Sequence, residues 1–197
     1  MRNHQRLFYS FFSILNGSAL VAAFYLCLNI LPTFFSYFTV LSNILMTLFF
    51  IFFAVFAPKK ISGFTSWLRG AAVLYMSMTG VIYWTMLANT HSLSIDPWIN
   101  LTLHGIMPIA AFLSWLLYPQ KSKIQYSAAL QWLSFPLVFA TVTLIRGHYI
   151  NWYPYFFLNP NIEAGYFKVV LNVLGILMFS WVCGLILVWI NKKAVKA

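Results

Sequence analysis

Six stretches of this chain, roughly 7–31, 35–57, 66–88, 98–118, 126–146 and 166–190, are apolar over the length a helix needs to cross a bilayer, about 20 residues. Only 7% of the residues are charged and 62% are hydrophobic. A soluble domain carries about 25% charged residues. There is too little polar surface here to cover a water-soluble globule, so the class is integral membrane protein. Links between the runs are short, except at 147–165, and short links favour antiparallel neighbours. The expected fold class is all-α: a polytopic, six-transmembrane-helix up-down bundle forming a single domain over 1–197. The first run follows Arg2 and Arg6 but exceeds the 7–15 apolar residues of a signal core, so it reads as a span.

The basic residues set an orientation. With the N-terminus inside, Arg2, Arg6, Lys59, Lys60, Arg69, Lys121, Lys123, Lys192, Lys193 and Lys196 collect on the inner side. Arg146 and Lys168 fall outside, as do the only two acids, Asp96 and Glu163. This bias alternates correctly over all six runs and predicts cytoplasmic termini in a cell membrane. The net charge of +10 is scattered singly and in pairs between apolar runs, which argues against nucleic acid as a partner. Cys27 and Cys183 fall in opposite leaflets by this topology and are expected to be free thiols.

Two runs carry polar residues that lipid does not tolerate unless they face protein or a wet cavity. Phe38-Thr39-Val40-Leu41-Ser42-Asn43 puts Thr39 and Asn43 on one helical face. A helix beginning near Phe35 places Thr39 roughly 6 Å along its axis. In the fourth run, Asn100, His104 and Pro108 recur at intervals of four, and a start near Trp98 places His104 roughly 9 Å in. Gly105 thins the helix beside it. Thr39 and His104 therefore fall at similar depth in the outer half, below Arg146 at the end of the fifth run. A threonine needs an adjacent base to act as a nucleophile, and neutral histidine is such a base. Ser42, Asn43 or Asn100 would then stabilise the oxyanion, and Arg146 would pair with a substrate carboxylate. No acid is placed to orient His104.

Each residue also has a plainer reading. A lone threonine often bonds the preceding helical turn. Ser42 and Asn43 serve equally to join helices, and His104 to donate across a helix pair. Arg146 can reach lipid phosphate, and the aromatic segment 148–160 can form an interfacial belt or fold back as a lid. With a single deep histidine and no ligand cluster, no haem, zinc or other cofactor is expected. Neither a phosphate loop nor a serine elbow is present.

Three separated motifs carry a family likeness. They are Tyr37-Phe38-Thr39-Val40-Leu41-Ser42-Asn43, then Asn100, His104 and Pro108, then Arg146-Gly147 with Trp152-Tyr153-Pro154-Tyr155 and Phe157-Leu158-Asn159. Together they resemble the bacterial Pr-six-Pr membrane-protein family. That family is in turn remotely similar to the androgen-induced and androgen-dependent TFPI-regulating proteins. Those relatives are intramembrane threonine hydrolases that cleave fatty acid esters of hydroxy fatty acids. The resemblance implies six spans, Thr39 as nucleophile and His104 as base, and its outer motif adds Tyr153 and Asn159 to the substrate-binding candidates. The expected function is hydrolysis of lipid esters entering from the outer leaflet. The other reading is a non-catalytic membrane protein that binds lipid or whose polar cluster only fixes packing.

Overall fold

The structure, a computed structural model, describes residues 3–28, 31–58, 61–88, 96–119 and 122–196. Among these there is no strand. Six helical stretches are long and apolar enough to cross a membrane: Asn3–Leu26, Phe38–Phe56, Gly63–Leu87, Pro97–Leu117, Ser127–Ile150 and Tyr166–Val195. The fold is all-α and polytopic. Of the residues used above for orientation, Arg2, Lys59, Lys60 and Lys121 lie outside the described set.

The helices are α1 (Asn3–Leu26), α2 (Leu31–Phe34), α3 (Phe38–Phe56), α4 (Gly63–Ile82), α5 (Pro97–Leu101), α6 (Met107–Leu117), α7 (Ser127–Gln131), α8 (Ser134–Ile150) and α9 (Tyr166–Lys196). Two π-helical turns continue spans, Tyr83–Leu87 after α4 and Thr102–Ile106 between α5 and α6. The second span begins at Phe38 rather than near Phe35. The chain first closes the short helix α2, with Ser36 N–H bonding Thr33 C=O and Tyr37 N–H bonding Phe34 C=O, and Tyr37 is extended. Thr39 therefore lies in the first turn of its helix, not a full turn in. The aromatic loop also starts later than 147, because α8 runs to Ile150 and ends on Asn151 in the left-handed conformation (φ 50°).

The chain forms two compact units, Met1–Ile124 with Ile190–Ala197, and Gln125–Trp189. In the first, α1 packs along α3, α3 on α4, and α4 on α6. The buried stripe of α1 is Tyr9, Ser13, Asn16, Ala19 and Ala23, at the three- and four-residue spacing of one helical face. Ala19 and Ala23 keep that face thin where it meets Val40, Ile99 and Leu103. Without a hydrophobic force between helices in lipid, such small residues let backbones approach. Cys27 closes this core as a free thiol.

Arg69 on α4, counted above among the inner-side charges, is only 1% exposed, so its charge is held inside the first unit. Its guanidinium donates to Ser114 C=O (2.7 Å) and Tyr118 C=O (3.1 Å) at the end of α6. It also lies 5.2 Å from the Trp115 ring centre and 5.5 Å from that of Phe53. A helix C-terminus offers unpaired carbonyls and partial negative charge, so it accommodates a cation without a carboxylate. Arg6 repeats the device, with its Nε–H on Ala54 C=O at the end of α3 (2.7 Å).

In the second unit, Gly184 on α9 meets Ala129 on α7, where an added Cβ would lie 3.1 Å from the alanine methyl. The aromatic loop is tied by Asn161 to Asn151 Oδ1 (3.0 Å) and by Asn172 to Phe157 C=O (3.2 Å) and Glu163 Oε2 (3.1 Å).

Because the buried Arg69 guanidinium binds Ser114 C=O and Tyr118 C=O and packs on two aromatic rings, Arg69→Ala is expected to cost about 2–4 kcal/mol of unfolding free energy. Denaturant titration of the detergent-solubilised protein, with the exposed Lys168→Ala as control, measures it.

Candidate functional site

Thr39 Oγ1 on α3 lies 3.3 Å from His104 Nε2 in the fourth span. The other ring nitrogen, Nδ1, is 3.1 Å from Asn100 C=O, one turn earlier on the same span. A carbonyl can only accept, so Nδ1 carries the hydrogen. In the neutral ring Nε2 is then the acceptor, and the Thr39 hydroxyl is the donor facing it. His104 is buried (9% exposed) and Thr39 is half-buried. No carboxylate is among the hydrogen-bond partners of the ring. A backbone carbonyl orients it instead.

The local cause of this geometry is Pro108. It has no N–H, so neither an α-helical bond to His104 C=O nor a π-helical bond to Leu103 C=O can form from it. Met107 N–H reaches back five residues to Thr102 C=O, closing the π turn Thr102–Ile106. Two carbonyls inside an apolar bundle thus lose their helical donors, a cost of several kcal/mol each unless replaced. Side chains of neighbouring helices replace them. Asn43 Nδ2 donates to Leu103 C=O (3.1 Å), and Trp84 Nε1 donates to His104 C=O (3.0 Å).

Asn43 does more than satisfy one carbonyl. The same amide group bonds Thr39 C=O (2.8 Å), so it ties the backbone of Thr39 to that of Leu103, next to His104. Ser42 bonds Thr39 C=O (3.1 Å) and Thr79 Oγ1 on α4 (2.8 Å). Asn16 on α1 bonds Asn43 C=O (3.2 Å) and Thr47 Oγ1 (2.7 Å). Ser42 and Asn43 are thus occupied in holding α1, α3, α4 and the fourth span together, instead of pointing at a reacting oxygen.

Four residues missed by the sequence reading complete the arrangement. The Tyr83 ring stacks on the imidazole with centres 3.9 Å apart and planes at 21°. Asn100 Nδ2 donates to the Tyr83 hydroxyl. Asn100 therefore holds His104 through its carbonyl and Tyr83 through its amide. The π turn Tyr83–Leu87 presents both Tyr83 and Trp84 to the fourth span. Here Thr85 Oγ1 takes Val81 C=O (2.6 Å), a back-bond that bends helices. Gly80 is the third. A Cβ there would lie 2.8 Å from Pro108 Cβ and 3.4 Å from His104 O, so α4 can approach the fourth span only because this residue has none. Thr79, the partner of Ser42, is the fourth. The space beside Gly105 is taken by Leu101 and the Trp84 indole. π turns gather at functional sites, and that was the signal available in Pro108 and the polar residues before it.

Arg146, Tyr153 and Asn159 belong to the second unit. Arg146 lies over the Trp152 ring, 5.2 Å from its centre. The Tyr153 ring fills the space that a Cβ on Gly147 would take. Asn159 Oδ1 accepts from Asn161 N–H (3.0 Å), a turn-forming bond.

No family model, no curated protein and no solved structure matches this chain. The chemistry of the site is therefore read from its own residues.

Gly80→Ala must push Pro108 or its helix aside, at a cost of about 1–3 kcal/mol. Gly17→Ala, where an added methyl meets nothing within 4 Å, is expected to be neutral or to stabilise by about 0.5–1 kcal/mol. Thermal unfolding of both variants in one detergent tests the contrast.

Proposed function

We propose that this protein is an intramembrane hydrolase of lipid esters, with Thr39 as nucleophile and His104 as base. The observation that carries the proposal is the line Thr39 Oγ1, His104 Nε2, His104 Nδ1, Asn100 C=O, at 3.3 and 3.1 Å. A nucleophile, a base beside it and a group orienting that base are the parts of an activated hydroxyl. The likeness of the three motifs to the Pr-six-Pr family, and through it to intramembrane threonine hydrolases, supports the same assignment.

The reaction balances with water alone. Thr39 Oγ attacks the ester carbonyl carbon while its proton passes to Nε2. Collapse of the tetrahedral intermediate breaks the bond to the leaving alcohol, which takes that proton. Water then attacks the acyl-threonine and gives a proton to Nε2. The acid is released as Thr39 Oγ recovers its hydrogen. The substrate class is a long-chain acyl ester, such as a fatty acid ester of a hydroxy fatty acid. The lysine and arginine bias supports cytoplasmic termini in a cell membrane and places this site toward the outer leaflet, from which lipid would enter.

A second reading has its own support. Ser42 with Thr79, Asn43 with Leu103 and Asn16 with Thr47 are all helix-bridging bonds. A cluster that satisfies itself this way is what a purely structural or lipid-binding role requires.

The two readings part on covalent chemistry. With p-nitrophenyl palmitate as probe, Thr39→Ala is expected to lose at least about 10³-fold in kcat, and His104→Gln about 10²–10⁴-fold. Mass spectrometry should find an acyl adduct on Thr39 of the wild type. Equal turnover by wild type and Thr39→Ala removes the hydrolase reading.

A further inference from the structure

When Thr39 gives up its proton, His104 becomes an imidazolium inside an apolar bundle. Serine hydrolases of the triad type meet that charge with a carboxylate against the second ring nitrogen. Here Nδ1 faces the neutral Asn100 carbonyl, and the chain's only acids are Asp96, exposed at the head of α5, and Glu163, which belongs to the other unit. Among the described residues, the groups bonded to or stacked on the ring are Thr39 from α3, Tyr83 from the π turn after α4, and Asn100 from its own span, all uncharged. One of them nevertheless favours a cation. The face of a phenol ring carries negative electrostatic potential, and a cation within about 6 Å of its centre is attracted, more strongly where water is excluded. Tyr83 presents that face to the imidazole at 3.9 Å between centres and 21° between planes.

We infer that Tyr83 takes the place of the missing acid, as a positioning residue that stabilises protonated His104 through its ring face, with Asn100 clamping both rings in register. The inference rests on the hydrolase reading and deepens it. Proton transfer from Thr39 creates the charge, and the Tyr83 face stabilises it in the transition state more than in the resting state, so the effect falls on kcat. The Asn100 amide holds the phenol by its oxygen, and the Asn100 carbonyl holds the imidazole by Nδ1–H. Sliding of one ring across the other is thereby opposed from a single residue.

The test is a graded one on the full chain in detergent, again with p-nitrophenyl palmitate. Tyr83→Phe keeps the ring face but loses the Asn100 clamp, so it is expected to lose a few-fold in kcat and is the reference for the series. Mono-, di- and trifluorinated phenylalanines at position 83 barely change the ring's size but progressively drain its negative face. Along this series kcat is expected to fall stepwise, by about 2-fold to 30-fold in all, with KM unchanged. Tyr83→Leu should lie at the low end. A residue that only fills space gives a flat series, and Thr39-dependent turnover with a flat series overturns the inference alone. Equal turnover by wild type and Thr39→Ala overturns the hydrolase reading and this inference with it.

Discussion

A backbone carbonyl in lipid has no water to turn to, and that constraint, applied at Pro108, organises the interior of the first unit. The proline removes the donor that would serve His104 C=O, and the π turn before it leaves Leu103 C=O without one as well. Asn43 from α3 and Trp84 from the π turn after α4 supply the missing hydrogens. Each donor brings a neighbour with it. Asn43 is one helical turn from Thr39 and bonds its carbonyl, and Trp84 follows Tyr83. The hydroxyl and the phenol thus reach the imidazole as a consequence of satisfying the backbone beside it. A cost that would destabilise the span is turned into the contacts that define the site.

The same logic runs at the far ends of α3 and α6. Helix C-termini concentrate carbonyl oxygens and partial negative charge, and Arg6 and Arg69 bind there. Arg69 is the more demanding case, because its charge is buried and its hydrogen bonds go to carbonyl and hydroxyl oxygens. Two carbonyls and two aromatic faces share the work. Carbonyl oxygens and ring faces also surround His104. A chain with two acids cannot answer its buried cations with carboxylates, so it answers them with backbone dipoles and π faces. The positive net charge and the chemistry of the interior are linked in this way.

Much of the fold was legible because its cause is one-dimensional. A span needs a long apolar run, and six such runs sit where the helices are, within a few residues at each end. The meeting of Thr39 with His104 was also legible, since each is polar in lipid and both fall near the same end of their spans. What the sequence left open lies in the interactions between helices. Gly105 thins its helix, and Leu101 and Trp84 fill the space beside it. Ser42 and Asn43 are oxyanion-donor candidates by sequence, and the structure adds that Ser42 meets Thr79 and that the Asn43 amide bonds two backbone carbonyls. Arg69 enters the sequence reading only as an inner-side charge, and its burial against Trp115 and Phe53 emerges in the structure.

By itself, the sequence determined that this chain must be helical and membrane-spanning, and which few polar side chains must find partners inside. Those results follow from transfer free energies, which each residue carries wherever it sits. Which partner each polar group takes was decided only in three dimensions. Tyr83 and Trp84 are a tyrosine and a tryptophan near the end of an apolar run, with nothing in their spacing to distinguish them from an interfacial belt. They become the ring over His104 and the donor to its carbonyl because a proline 24 residues after Trp84 strips that carbonyl of its hydrogen bond. Hydrogen bonds are short and directional, so their pairing depends on how helices far apart in the chain are rotated and spaced, and a residue's own chemistry does not contain that information.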